Sequence, residues 1–364
     1  MSVADLALQR SKYKHLSDDE WRWFLQQVEG RERTADKLPT FSAIEDWWYP
    51  VRLSCEQCSS ELAAKYKASL VSGETMVDLT GGYGVDTYFI SEGFSHTNYV
   101  EQNAELCRIA THNFAHKPIT IHNSTAEEFL KTAGQYDLIF LDPARRDSHG
   151  GKVFRLEDCT PNVVELLPTL QAHGKRLMIK LSPMLDLTQA VTALSAVTWD
   201  IYVVAIKNEV KEVLLLSGGT GQITAIDLDK KDQAFVFTKE EEQNCQMVNG
   251  KCENGKWLYE PNAAMLKSGA YKLVAQRFGL QKLDVNTHLY SSDSLVENFP
   301  GRVWKVVEKQ DLKQANVLCR NYPLTPEALK KKLHLKDGGT AYVIGCRVAG
   351  KATLFFAERI EDIH

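Results

Sequence analysis

The chain has 364 residues, 44% apolar and 25% charged, which gives enough material for two or three domains with full cores. Its net charge of −4 excludes a uniformly basic nucleic-acid coat. No apolar run approaches the ~18 residues that span a bilayer. The polar start MSVADLALQRSKYKHLSDDE is no signal peptide, so a cytoplasmic, membrane-free protein is expected.

Residues 1–70 read as helical, with Ser17 capping WRWFLQQV and a later helix CSSELAAKYKASLV, for which Ser54 is the expected cap. The stretch Trp47-Trp48-Tyr49 reads as packing. Cys55 and Cys58 have CxxC spacing, but no second pair completes four ligands. Two small residues on one helix turn are expected there, and no metal.

From residue 75 strands and helices alternate. MVDL (76–79), TNYVE (97–101), PITIHN (118–123), YDLIFLDP (136–143) and KRLMIKLS (175–182) are each followed by a helix. DIYVVAIK (200–207) and KEVLLLSG (211–218) follow closely enough for a hairpin. This order predicts an α/β fold: a Rossmann-like, mostly parallel sheet of seven strands with the last antiparallel. Further on, GQITAIDL and QAFVFT pair, two Asn-Gly turns lie at 249–250 and 254–255, and PNAAMLKSGAYKLVAQRFG reads as one helix with Pro261 in its first turn. The tail reads as a separate small α+β module. Residues 301–364 hold 12 Lys and Arg against 7 Asp and Glu, which leaves the rest of the chain at −9. The expected organisation is a helical region 1–70, a nucleotide-type fold 71–220, a connecting region 221–299 and the module 300–364.

The strongest chemical signal is the strand-to-helix bend Asp78-Leu79-Thr80-Gly81-Gly82-Tyr83-Gly84-Val85-Asp86. Ligands bind at the C-terminal edge of such sheets, and glycine lets the backbone approach them. Glu101, 23 residues on, closes the next strand where a carboxylate accepts ribose hydroxyls, with Gln102 beside it. Thr125 and Ala126 follow the third strand, and Asp142-Pro143 closes the fourth. A dinucleotide site prefers G-x-G-x-x-G, but Thr87 stands at the last glycine, and Asp78 suits an amine-bearing ligand better than a pyrophosphate.

DLTGGYG resembles the first motif of class I S-adenosylmethionine-dependent methyltransferases, with Thr80 where glycine is commonest. Glu101 is similar to their ribose-binding acid. LDPA resembles their fourth motif, with Ala144 and Arg145 in place of its second proline and aromatic. DPARRD, KLSPMLD, EPNAAMLKSG and the tail resemble bacterial proteins that join this fold to a ferredoxin-like piece and a THUMP-like domain. The resemblance implies S-adenosylmethionine as cofactor, held by Asp78, Thr80, Gly81, Gly82, Gly84, Asp86, Glu101, Gln102, Thr125, Ala126 and Asp142. It implies an RNA partner, because THUMP domains bind RNA. Asp142, Pro143 and Lys180 are the expected catalytic positions, and Arg145, Arg146, Lys331 and Lys332 the substrate contacts. Asp142, Lys180 and Glu212, with Lys65 or Lys67, also resemble the Lys-Asp-Lys-Glu set of ribose 2′-O-methyltransferases of the heat-shock ribosomal type. Two alternatives stay open: an RNA-binding protein without catalysis, and a methyltransferase for a small molecule or protein.

Overall fold

The computed structural model describes residues 3–145, 155–229, 234–246 and 256–360. The chain packs as two compact units, residues 1–199 with 214–219, and residues 200–213 with 220–364.

In the first unit, five parallel strands stand in the order β5-β4-β1-β2-β3. They are β1 (Gly73–Asp78), β2 (Phe94–Glu101), β3 (Ile119–Asn123), β4 (Tyr136–Leu141) and β5 (Gly174–Leu181). Met76, Val77, Ile139, Phe140, Met178 and Ile179 are all buried, as continuous apolar strands covered on both faces must be. The second half of β7 (Glu209–Ser217) lies beside β5, where the Leu177 amide donates to Ser217 Oγ at 2.7 Å. Helices of the first 70 residues precede this sheet. The Ser17–Glu20 capping box opens Asp18–Thr34 as expected. The later helix is two: Arg52–Gln57, then Glu61–Ser69 capped by Ser60 rather than Ser54. The break at 58–60 is decided by Ser60, whose Oγ accepts the Ala63 amide. Trp47 and Tyr49 are buried, and Trp48 stacks on His112 at 3.8 Å, so these aromatics are packing.

In the second unit, β6 (Trp199–Ile206) and the first half of β7 are joined by Lys207 and Asn208, both at positive φ. That two-residue turn makes the pair antiparallel. The pair expected from GQITAIDL and QAFVFT forms, and it continues the sheet on the β6 side. Its strands are β8 (Gln222–Asp227), parallel to β6, and β9 (Phe235–Thr238), antiparallel to β8. Both Asn-Gly pairs lie outside the described residues.

The tail does not build a sheet of its own. A seven-stranded sheet, β11-β12-β10-β13-β16-β15-β14, joins it to the region before it. Its members are β10 (Trp257–Pro261), β11 (Gln281–Asp284), β12 (Thr287–Ser292), β13 (Gly301–Val307), β14 (Asn316–Arg320), β15 (Ala341–Val348) and β16 (Lys351–Ile360). Pro261 ends β10 instead of opening a helix. The predicted single helix is divided at Gly269 (φ +86°) into Ala263–Ser268 and Tyr271–Phe278. No helix among the described residues is long and apolar enough to cross a membrane.

Candidate active site

The bend after β1 is shaped by its glycines. Gly82 (φ +56°) and Gly84 (φ +82°) take left-handed backbone that other residues rarely adopt. A Cβ on Gly84 would lie 2.5 Å from the Phe114 ring, and one on Gly81 2.2 Å from Tyr99. A Cβ on Gly82 would meet nothing closer than the Thr80 carbonyl at 3.8 Å, so bare backbone faces the cleft there. The Tyr99 hydroxyl donates to the Gly82 carbonyl at 2.6 Å. Glu101 Oε2 accepts the Gly82 amide at 2.9 Å, while its Oε1 accepts the Asn103 amide at 2.7 Å. The second carboxylate is thereby locked against the bend. We expect Gly84→Ala to lower donor affinity at least roughly ten-fold, through overpacking and backbone strain together of about 2–4 kcal/mol. Isothermal titration calorimetry measures it.

Thr80, where the commonest motif has glycine, is a brace. Its amide donates to Asp78 Oδ1 at 2.9 Å, and its hydroxyl oxygen accepts the Asp142 amide at 2.6 Å. The corner after β4 is thus tied to the bend after β1. Asp78 is fully buried, and its Oδ2 accepts the Thr87 hydroxyl at 2.5 Å. Burial pushes its carboxyl up to about 7, against the Thr87 and Thr80 hydrogen bonds and with the help of nearby Asp86 and Asp142.

These strand ends enclose a cleft of about 250 Å³ in the first unit. Every residue expected to hold a donor lines it: Asp78, Thr80, Gly81, Gly82, Gly84, Asp86, Glu101, Gln102, Thr125, Ala126 and Asp142. Lys180 lines it too, whereas Pro143 is half-buried and does not. The side chain of Arg145 and the whole of Arg146 lie outside the described residues. Lys331 and Lys332 belong to the second unit, exposed on the helix Pro326–Lys332. Arg320 there is committed to buried Glu260, which Arg302 also pairs at 2.5 Å.

The sequence names what lies under the bend only in part, since the Lys-Asp-Lys-Glu resemblance gives Asp142, Lys180 and Lys65 or Lys67 but not Asp86 between them. Asp86 is buried, and its Oδ1 is 3.1 Å from Nζ of Lys67, itself wholly buried. Its Oδ2 accepts from Ser59 Oγ at 2.7 Å and lies 3.3 Å from Lys180 Nζ. Lys180 reaches on to Ser59 Oγ (3.1 Å) and Asp142 Oδ2 (2.5 Å). Charges therefore alternate Lys67, Asp86, Lys180, Asp142 from the interior to the cleft, with Ser59 at the hub. Burial alone would raise the Asp86 carboxyl, but Lys67, Lys180 and the Ser59 hydroxyl outweigh it and hold it at about 2. Lys65, the other candidate first lysine, points outward onto Glu61 at 2.6 Å, and Glu212 belongs to the second unit. The signal for Lys67 is helical spacing: it shares the buried stripe of Ala63 and Ala64. Cys58 lines the cleft wall, but burial raises its thiol, and that of Cys55 to about 12, so neither is a poised nucleophile. Among the described residues no group of His, Cys, Asp and Glu is arranged to hold a metal.

The donor set suits an adenosyl amino acid. Glu101 offers a carboxylate at the second strand end, Asp78 a carboxyl at the first, and Leu79, Val100, Leu106 and Phe140 apolar walls. Residues 257–300 match a family model described as a ferredoxin-like domain, and residues 300–359 one described as THUMP domain-like. Two Mycobacterium tuberculosis proteins (strains CDC 1551 / Oshkosh and H37Rv), both described as uncharacterized S-adenosylmethionine-dependent methyltransferases, are 23% identical over 345 residues. The alignment covers 90% of this chain and 92% of theirs. A crystal structure from Porphyromonas gingivalis W83, assigned as a methyltransferase, superposes with a TM-score of 0.85 at 32% identity, covering 95% of this chain and 92% of that one. The chain therefore belongs to the S-adenosylmethionine-dependent methyltransferases, in the group that carries a THUMP-like domain at the C-terminus.

Proposed function

We propose that this methyltransferase acts on RNA, with the acceptor held against the Asp142-Pro143 corner. The observation that carries the reading is the THUMP domain-like match over 300–359, on a tail whose basic surplus opposes an acidic body. Glu101 would take the ribose hydroxyls, Asp78 the aminoacyl end, and Gln102, Thr125 and Ala126 the adenine side. The bound donor supplies an electrophilic methyl group on a sulfonium sulfur. Asp142 accepts a hydrogen bond from the acceptor, and Lys180 and the Thr80 brace fix its orientation. Arg145, Arg146, Lys331 and Lys332 remain the proposed phosphate contacts.

The test is a mass-spectrometric survey of modified nucleosides in tRNA and rRNA from a deletion strain. Loss of one methylated nucleoside, restored by the purified enzyme on that RNA, is expected. An unchanged survey would make a non-RNA acceptor the better account. A second reading, a ribose hydroxyl as acceptor, is favoured by the burial of Lys67 in line with Lys180 and Asp142. The same survey decides it, since a 2′-O-methyl ribose survives alkaline hydrolysis as a dinucleotide.

A further inference from the structure

The bend that cradles the donor is also held from its buried side. Tyr83 stands between the two left-handed glycines, and its side chain is buried in the aromatic cluster of Phe41, Trp47, Tyr49 and Phe114. Its ring meets Phe41 edge-on at 6.0 Å. Its hydroxyl accepts from Trp47 Nε1 at 2.9 Å and donates to the Trp48 carbonyl at 3.4 Å. Both partners belong to residues 44–49, an irregular strap between the helices Pro39–Ala43 and Arg52–Gln57. An irregular segment keeps one path only where its backbone groups find fixed partners, and here they do. Arg31 of the helix Asp18–Thr34 donates to the carbonyls of Ile44 and Glu45 at 2.9 and 2.7 Å, and Gln27 of that helix exchanges two bonds with the Tyr49 backbone. A Cβ on Gly30 would lie 2.2 Å from that of Tyr49, so this helix and the strap are in close contact there. From another helix, Ala104–Asn113, Asn113 bonds both the amide and the carbonyl of Trp48 at 2.9 Å, and the His112 ring bonds the Asp46 carbonyl at 2.8 Å. The Trp48 carbonyl is thus shared by Asn113 and Tyr83.

We propose that Tyr83 is a positioning residue for the donor: through it the strap holds the glycine bend in its binding shape, so that strap docking and donor occupancy form one coupled equilibrium. Glu101 and Tyr99 fix Gly82 from β2, and Tyr83 ties the next residue to the strap. When the strap lifts, Trp47 and Trp48 withdraw from the phenol and the bend loses this anchor. The fraction of chains competent for the donor then falls. The coupling is reciprocal, so a bound donor tightens the strap. The inference concerns donor binding alone and stands whichever acceptor is methylated.

The experiment pairs calorimetry with hydrogen exchange read by mass spectrometry, on the full chain with S-adenosylmethionine. Tyr83→Phe, which keeps the ring, should weaken donor binding about five- to twenty-fold. Asn113→Ala, at a position that does not line the cleft, should weaken it by a similar factor. The double variant should bind within about two-fold of the weaker single, because both changes release Trp48. Tyr136→Phe loses a hydroxyl bond to Asn98 at the opposite end of β4 and should leave donor affinity unchanged. In the wild type, saturating donor should slow exchange over 44–49 at least about ten-fold, and in Tyr83→Phe less than about three-fold, while the β1 amides gain protection in both. Undiminished affinity in Tyr83→Phe, an equal loss in Tyr136→Phe, additive losses in the double variant, or strap exchange indifferent to the donor would each overturn the proposal.

Discussion

Replacing Asp142 by alanine is expected to cut methyl transfer about 100- to 1,000-fold, with donor affinity changed by less than about three-fold. The asymmetry follows from its place. The Asp142 carboxylate lies at the cleft end of the alternating chain, 2.5 Å from Lys180, and its side chain is 37% exposed to whatever enters. The bend that cradles the donor is held by other groups, chiefly Glu101, Tyr99 and the glycines. Lys180→Met should reproduce part of the loss, about 10- to 100-fold, by freeing the carboxylate it orients. Tritiated-methyl incorporation into RNA from a deletion strain, beside calorimetry on the same variants, separates turnover from binding. Undiminished turnover in Lys180→Met would end the idea that the chain of charges serves the reaction.

The largest stability effect should come from Lys67→Met. This ammonium is wholly buried, and its removal leaves the buried Asp86 carboxylate with Lys180 and Ser59 alone. Removing one partner of a buried pair costs about 3–5 kcal/mol, which in a protein of this size is a fall in Tm of roughly 10 °C. Lys65→Met is the control. Its ammonium is largely exposed on Glu61, and such pairs contribute only about 0–1 kcal/mol. Acid titration gives a second readout. The Asp86 carboxyl is depressed in the fold, so its stabilisation is complete above the ordinary value of 3.8 and is lost as pH falls toward about 2. Lys67→Met should flatten that acid limb, and melts between pH 2 and 5 would show it.

The donor side of the site was legible because it is local. Asp78, the glycines and Glu101 sit at strand ends, where strand-turn-helix periodicity alone puts them on one edge of a parallel sheet. The same periodicity gave the five parallel strands and the hairpin after them. The buried chain was legible only through a resemblance, which named Asp142, Lys180 and Lys65 or Lys67; the pairing with Asp86 and Ser59 was missed because it is assembled at a distance. Ser59 and Lys67 come from the helical region, Asp86 from the bend and Lys180 from β5, which are 121 residues apart at the extremes. Lys67 was nonetheless on the apolar stripe of its own helix, and a lysine there asks for a buried partner. The tail misled for another reason. It was foreseen as an α+β module, but an edge that pairs β13 with β10 carries no signature in spacing, so the strands it shares a sheet with were not joined to it.

The location of Lys67 and Ser59 also bears on how the catalytic fold is cut free for experiment. A fragment opened at residue 71, just ahead of β1, would keep Asp86 and Lys180 but discard both the ammonium and the hydroxyl that satisfy them. Such a piece would leave the acid beneath its own cofactor loop with Lys180 but without Lys67 or Ser59. A version that keeps both should begin ahead of Ser59, and any exchange of the helix Glu61–Ser69 has to supply a new partner for Asp86.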